Sequence, residues 1–167
     1  MSLYDYNSSM NRFVLRGGGI SPGVKYLLVA NIAVYILQIV FGDWFTNVFG
    51  LSYYGIAHGQ VWQFFTYMFL HSPSNPFHLI FNMLMLFFMG PETERTTGTK
   101  NFIIMYLLSG LFGGVLWIAL GYRAMCIGAS GAIYGLLASF GVLWPQRELT
   151  LLLFFVIPIQ LKAWMMV

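Results

Sequence analysis

The chain has 167 residues, of which 59% are hydrophobic and only 8% charged, with a mean hydropathy of +0.74. That composition excludes an ordinary soluble domain, in which about a quarter of residues are charged. The single cysteine, Cys126, excludes an intramolecular disulfide and any multi-cysteine metal cage, and the net charge of +3 is carried by basic residues scattered singly, which argues against nucleic-acid binding. An all-α integral membrane protein is expected, with no cofactor and no metal.

Residues 1–24 are polar and glycine-rich and read as a short cytoplasmic tail. They lack the basic n-region and apolar h-region of a cleaved signal peptide. From residue 25 to residue 167 the chain reads as one transmembrane domain without a repeat of fixed period. A membrane-crossing helix needs about 20 largely apolar residues. Five stretches approach this: Lys25–Phe41, Phe77–Met89, Asn101–Leu120, Ile127–Trp144 and Leu149–Val167. The second is short unless it begins near Pro73. The fifth runs into Val167 with no polar stop, so the domain is expected to be truncated at its C-terminal end.

Basic residues set the expected orientation. With the N-terminus in the cytoplasm, Arg12, Arg16, Lys25, Arg95, Lys100 and Arg147 lie inside, and only Arg123 and Lys162 fall near the outer side. The absence of a transit peptide leans towards a bacterial inner membrane. This topology leaves a long outer connection from Gly42 to about Ser72, rich in aromatics such as Trp44, Phe49, Tyr54, Trp62 and Phe65. Such a loop either lies in the membrane interface or packs on the bundle, or else forms an ordinary aromatic belt.

Chemistry concentrates at Gly128-Ala129-Ser130-Gly131, where the fourth apolar segment opens. A serine flanked by glycines at a helix start has an open approach to its hydroxyl and free backbone N–H groups beside it. A nucleophile and its oxyanion site need both. Small residues at Gly128, Gly131, Ala132, Gly135, Ala138 and Ser139, and at Gly110 and Gly114, also permit close helix packing without any catalytic role. His78 and Asn82, four apart, share a helix face. Polar groups at membrane depth face the interior or water, so these two either donate to a developing oxyanion beside Ser130 or join helices by a hydrogen bond. His71 reads as structural or interfacial, His58 as a solvated loop residue, and Glu94 and Arg95 as solvated charges or a weak ion pair. No His-Glu-x-x-His zinc motif and no intramembrane aspartate pair are present.

Taken in order, Trp62, Phe65-Thr66-Tyr67-Met68-Phe69-Leu70-His71, His78-x-x-x-Asn82, Glu94-Arg95-x-x-Gly98 and Gly128-x-Ser130-Gly131 resemble the rhomboid family of intramembrane serine proteases. The resemblance runs from about Lys25 to Val167. It implies a rhomboid-like helical bundle with five transmembrane helices present of an expected six. It further implies a serine–histidine dyad with Ser130 as nucleophile, and an oxyanion site made by the Ser130 N–H with the His78 and Asn82 side chains. The implied substrates are transmembrane protein segments, in the bilayer, cut near the outer face. Two departures stand out. Family members usually carry Trp-Arg where this chain has Trp62-Gln63, and the family's basic histidine lies on the sixth helix, a position that none of His58, His71 or His78 matches. Residues 1–167 alone are therefore expected to be inactive. The alternative is a non-catalytic rhomboid-like protein that binds transmembrane clients. Oligomeric state is not readable.

Overall fold

The computed structural model describes residues 20–146, 148–153, 157–162 and 165. Helix α1 (Pro22–Phe49) opens with proline at its first position, where the missing N–H costs nothing. It is two helices joined at Gly42, whose φ of +63° and ψ of −150° interrupt the ladder. The expected first span, Lys25–Phe41, is the part before that break. The connection that follows is folded: it contains α2 (Tyr53–Ala57), α3 (Gln63–Thr66) and a 3₁₀ turn (Tyr67–Phe69). Helices α4 (Pro76–Thr97), α5 (Thr99–Ala119) and α6 (Ser130–Leu143) complete the bundle. Helix α4 outruns the expected Phe77–Met89 at its far end, continuing through Pro91 to Thr97.

Among the described residues, α1 and α5 are long and apolar enough to cross a membrane, and α6 is apolar but shorter. Helix α4 has the length, but its last turns carry Glu92, Glu94 and Arg95. The segment expected as a fifth helix, Leu149–Val167, differs. Its described residues include two antiparallel strands, β1 (Glu148–Leu153) and β2 (Ile157–Lys162), paired from Glu148 opposite Lys162 to Leu153 opposite Ile157. A continuous apolar run carries no periodicity to separate strand from buried helix. Pro158 would remove a helical hydrogen bond and clash with the preceding turn.

The core lies where α1, α4, α5 and α6 meet the folded connection, with Val24, Leu51, Met68, Leu86, Phe102 and Tyr106 all nearly or fully buried. The α5–α6 pairing is the most extensive between helices. A Cβ on Gly113 would stand 3.6 Å from the Gly131 Cα, so the two backbones approach closely here, at Gly113 rather than at the expected Gly110 or Gly114.

Two buried polar residues lock the bundle at opposite ends. Glu94, expected as a solvated charge, is instead 3% exposed. Its carboxylate accepts from Ser21 Oγ (2.5 Å), Gly23 N (2.8 Å), Val24 N (2.9 Å) and Thr99 Oγ1 (2.7 Å). It thereby satisfies backbone donors that a helix start leaves orphaned and fastens α1 to the α4–α5 junction. Ser21–Val24, placed by sequence in the tail, are thus part of the packed structure. Arg95 makes only a 3.8 Å contact with Glu92.

Gln63 is fully buried and organises the connection. Its Oε1 accepts from Ser52 N (3.0 Å) and Ser52 Oγ (3.3 Å), while Nε2 donates to Gln60 Oε1 (2.7 Å) and the Val48 carbonyl (3.2 Å). Where the family pattern suggests an arginine, a neutral amide with both donor and acceptor ends ties the loop. Replacing it by leucine removes every one of these bonds at similar volume. Gln63→Leu should cost about 2–3 kcal/mol, read as a lowered unfolding temperature in detergent; an unchanged transition would show that the network is dispensable.

Candidate functional site

Ser130 is the first residue of α6, and the helix's first backbone bond is donated by Ile133 N to the Ala129 carbonyl (2.9 Å). The N–H groups of Ser130, Gly131 and Ala132 therefore precede the ladder and point past the helix start, the end that favours negative charge. The Ser130 residue is exposed, whereas Ala129 and Ala132 are fully buried.

The loop that delivers Ser130 is pinned to the folded connection. Leu51 and Cys126 exchange backbone hydrogen bonds of 3.0 and 2.8 Å, and Gly128 N donates to the Tyr67 carbonyl at 3.0 Å. The Tyr67 hydroxyl donates to the Gly110 carbonyl of α5 (2.6 Å), and the Arg123 guanidinium sits 4.0 Å over the Tyr53 ring. Tyr67 thus links the connection, α5 and the Ser130 loop. Its sequence neighbourhood was part of the resemblance, but its individual role was not readable. Cys126 sits beside this loop, and burial pushes its thiol up to about 11. So little thiolate at neutral pH makes it a poor nucleophile.

His78 and Asn82 lie on one face of α4, as their spacing predicts, and Asn82 Nδ2 donates to the His78 carbonyl at 2.7 Å. Asn82 is buried and His78 half-buried. The imidazole packs directly on Gly128: a Cβ at that position would stand 2.6 Å from His78 Nε2 and 2.8 Å from Cε1. Gly128 also has a φ of +124°, a region that side chains other than glycine's rarely enter. Two independent constraints therefore require glycine here, and together they bring His78 against the backbone two residues before Ser130. Gly131 is less confined, its nearest neighbour being the Tyr67 hydroxyl at 3.3 Å from a would-be Cβ.

The tautomer of His78 follows from its other side. Ser72 N donates to Nδ1 at 3.4 Å, so in the neutral ring the proton resides on Nε2, the nitrogen facing Gly128. The site thus presents a side-chain N–H donor to the space beside the α6 start.

His71, expected to be structural or interfacial, is completely buried. Its backbone N–H donates to Gln38 Oε1 (2.8 Å), and Gln38 Nε2 reaches Thr46 Oγ1 (3.0 Å) across the Gly42 break. Its ring lies 5.1 Å from that of His78 at 62°. Burial, and to a smaller degree His78, hold the His71 imidazole down to about 4, against a weaker upward pull from the Phe69 backbone. Neither ring nitrogen meets hydrogen-bond geometry with any described residue. His58 is exposed, as expected, with Nδ1 2.8 Å from the Tyr54 carbonyl.

Comparison with known proteins identifies the family. The Rhomboid domain model matches residues 58–167, which include His78, Asn82, Gly128 and Ser130. The chain belongs to the rhomboid family. It is 33% identical over 135 residues to rhomboid protease AarA of Providencia stuartii, covering 68% of this chain and 47% of AarA. With rhomboid protease GlpG of Yersinia pestis it shares 28% identity over 142 residues, 78% of this chain and 47% of GlpG. Rhomboid-like protease 3 of Toxoplasma gondii is 30% identical over 132 residues, 72% and 49% of the two chains. The matched region spans less than half the length of each of these relatives. Family membership and the apolar helices make this rhomboid an integral membrane protein.

Proposed function

We propose that the full-length protein is an intramembrane serine endopeptidase that cuts transmembrane segments of membrane proteins near the outer face. Ser130 Oγ attacks the scissile carbonyl carbon. A histidine base takes the hydroxyl proton and returns it to the leaving amine, and water then hydrolyses the acyl-enzyme. The oxyanion is held by the Ser130 N–H, the His78 Nε2–H and the second Asn82 amide hydrogen. The observation that supports this most is the His78 ring, a donor on its Nε2 side, resting on Gly128 two residues from Ser130.

None of the chain's three histidines suits the base. His78 is occupied as a donor, His71 is sealed in the interior, and His58 is exposed with its Nδ1 beside the Tyr54 carbonyl. The reading therefore draws the base from outside residues 1–167, and holds these residues alone inactive. In this reading the N-terminus is cytoplasmic, the Ser130 end of α6 faces outward, and substrates enter from the bilayer.

The test is cleavage of a transmembrane substrate by the full-length protein reconstituted in liposomes. His78→Ala and Asn82→Ala should each slow turnover by about ten- to a thousandfold, the cost of losing one oxyanion donor. Turnover undiminished in both variants would return the pair to a purely structural role.

A further inference from the structure

We propose that Tyr67 is a positioning residue for Ser130, holding the Gly128–Gly131 segment from both of its ends. Its role rests on the reading of Ser130 as nucleophile, while the hold itself belongs to the backbone and is measurable without cleavage. Tyr67 is 2% exposed. Its carbonyl accepts from Gly128 N at 3.0 Å, and its hydroxyl lies 3.3 Å from where a Cβ on Gly131 would stand. One residue thus brackets the two glycines that flank Ala129 and Ser130. Between them lie the serine hydroxyl and the unpaired N–H groups of the α6 start.

The bracket is stiff because the phenol is anchored in α5. Its hydroxyl donates to the Gly110 carbonyl at 2.6 Å. The ring lies along the glycines of that helix: a Cβ at Gly114 would stand 3.0 Å from Tyr67 Cε1, and one at Gly113 would stand 3.3 Å from the hydroxyl. At Gly110 a Cβ would meet Met68 Cε at 2.5 Å. The α5 glycines therefore admit Tyr67 and Met68 of the folded connection, a use separate from helix-on-helix packing. The Leu51–Cys126 bonds already tie this loop before Gly128, and Tyr67 extends the tie past Ser130 to Gly131. Such a hold fixes nucleophile and oxyanion donors before substrate arrives, which is where small displacements cost most in rate.

Tyr67→Phe keeps the buried ring and removes the hydroxyl alone. The Gly110 carbonyl is not orphaned by the change, because it lies within the α5 ladder. Thr66→Val is the comparison. Thr66 Oγ1 donates to the Phe49 carbonyl at 2.6 Å, so its loss weakens the same connection without touching residues 128–131.

The test is made on the full-length protein in liposomes with two readouts. The first is amide hydrogen exchange, resolved by mass spectrometry at Gly128 and Ile133, the bonded N–H groups on either side of Ser130. Exchange at both should quicken by about tenfold in Tyr67→Phe and keep its wild-type rate in Thr66→Val. The second is cleavage of a transmembrane substrate. In Tyr67→Phe, kcat should fall by about tenfold with KM held within about twofold. Thr66→Val should lower the unfolding temperature and leave kcat in place. Unchanged exchange in Tyr67→Phe would overturn the proposal, and so would faster exchange with an unchanged kcat. Faster exchange in a protein whose wild type never cleaves would support the bracket and contradict the protease reading, so the two fail separately. Should Tyr67→Phe not fold, Gly114→Ala replaces it. Its methyl would press on Tyr67 Cε1 and Leu51 Cδ2, each 3.0 Å away, and the same two effects are expected.

Discussion

Gly128→Ala should reduce substrate cleavage by about a hundredfold or more while leaving Ser130, His78 and Asn82 chemically intact. The added methyl would stand 2.6 Å from His78 Nε2, and the backbone would have to hold a side chain at a φ of +124°. Neither strain has a cheap release. Swinging the imidazole away withdraws its N–H from the oxyanion site. Relaxing the backbone shifts Ser130, two residues on, and a misplacement of about 1 Å can cost a hundredfold in rate. Backbone strain of this kind also costs about 1–3 kcal/mol, so the variant should unfold more readily too. Gly131→Ala is the internal control. Its new methyl would meet the Tyr67 hydroxyl at 3.3 Å and the Gly113 Cα at an ordinary 3.9 Å, and no positive φ is involved. Kinetics in liposomes together with thermal unfolding check the pair. Equal activity of the two variants would mean that the His78–Gly128 contact does not shape the site.

Glu94→Ala should destabilise the protein by about 3–5 kcal/mol, because four donors lose their acceptor at once. Two of those donors are the backbone N–H groups of Gly23 and Val24 in the first turn of α1, which have no other partner within the helix. The same residue makes stability pH-dependent. Burial pushes the Glu94 carboxyl up, but the hydrogen bonds from Ser21, Thr99, Gly23 and Val24 outweigh it and hold the folded value below the ordinary one. A depressed carboxyl contributes its full stabilisation above the unfolded value of about 4.3. That contribution is lost as pH falls through the lower folded value. Glu94→Gln should remove this acid-sensitive part, so the gap between wild type and variant narrows as pH drops below about 4. Unfolding followed in detergent across that range measures it, and a gap independent of pH would assign the effect to packing instead.

Much of the candidate site was legible in the sequence, because its signals are local. His78 and Asn82 declare themselves by a spacing of four in an apolar run, and Ser130 by its glycines and its place at a helix start. The residues that support them gave no such sign. Glu94 finds Ser21, Gly23 and Val24 some seventy positions away, and nothing in Pro91-Glu92-Thr93-Glu94-Arg95 distinguishes a buried acceptor from a solvated charge. Gln63 looked like the loss of an arginine; only the fold shows an amide using both ends to bind Ser52, Val48 and Gln60. His71 was readable as structural, but not as a fully buried ring packed edge-on against His78. The segment from Leu149 onward misled for a different reason. Its largely apolar sequence has the length of a span and no clear period of its own, and Pro158 was the one residue that spoke against a helix.

Covalent labelling tests the central claim most directly. The full-length protein in membranes would be treated with a serine-directed phosphonylating reagent, digested, and the adduct located by mass spectrometry. The account predicts a single adduct on Ser130, absent from Ser130→Ala and matched by complete loss of substrate cleavage in that variant. A full-length protein that takes no label, or that still cleaves with alanine at position 130, would contradict it, and failure to label would leave this rhomboid as a binder of transmembrane clients.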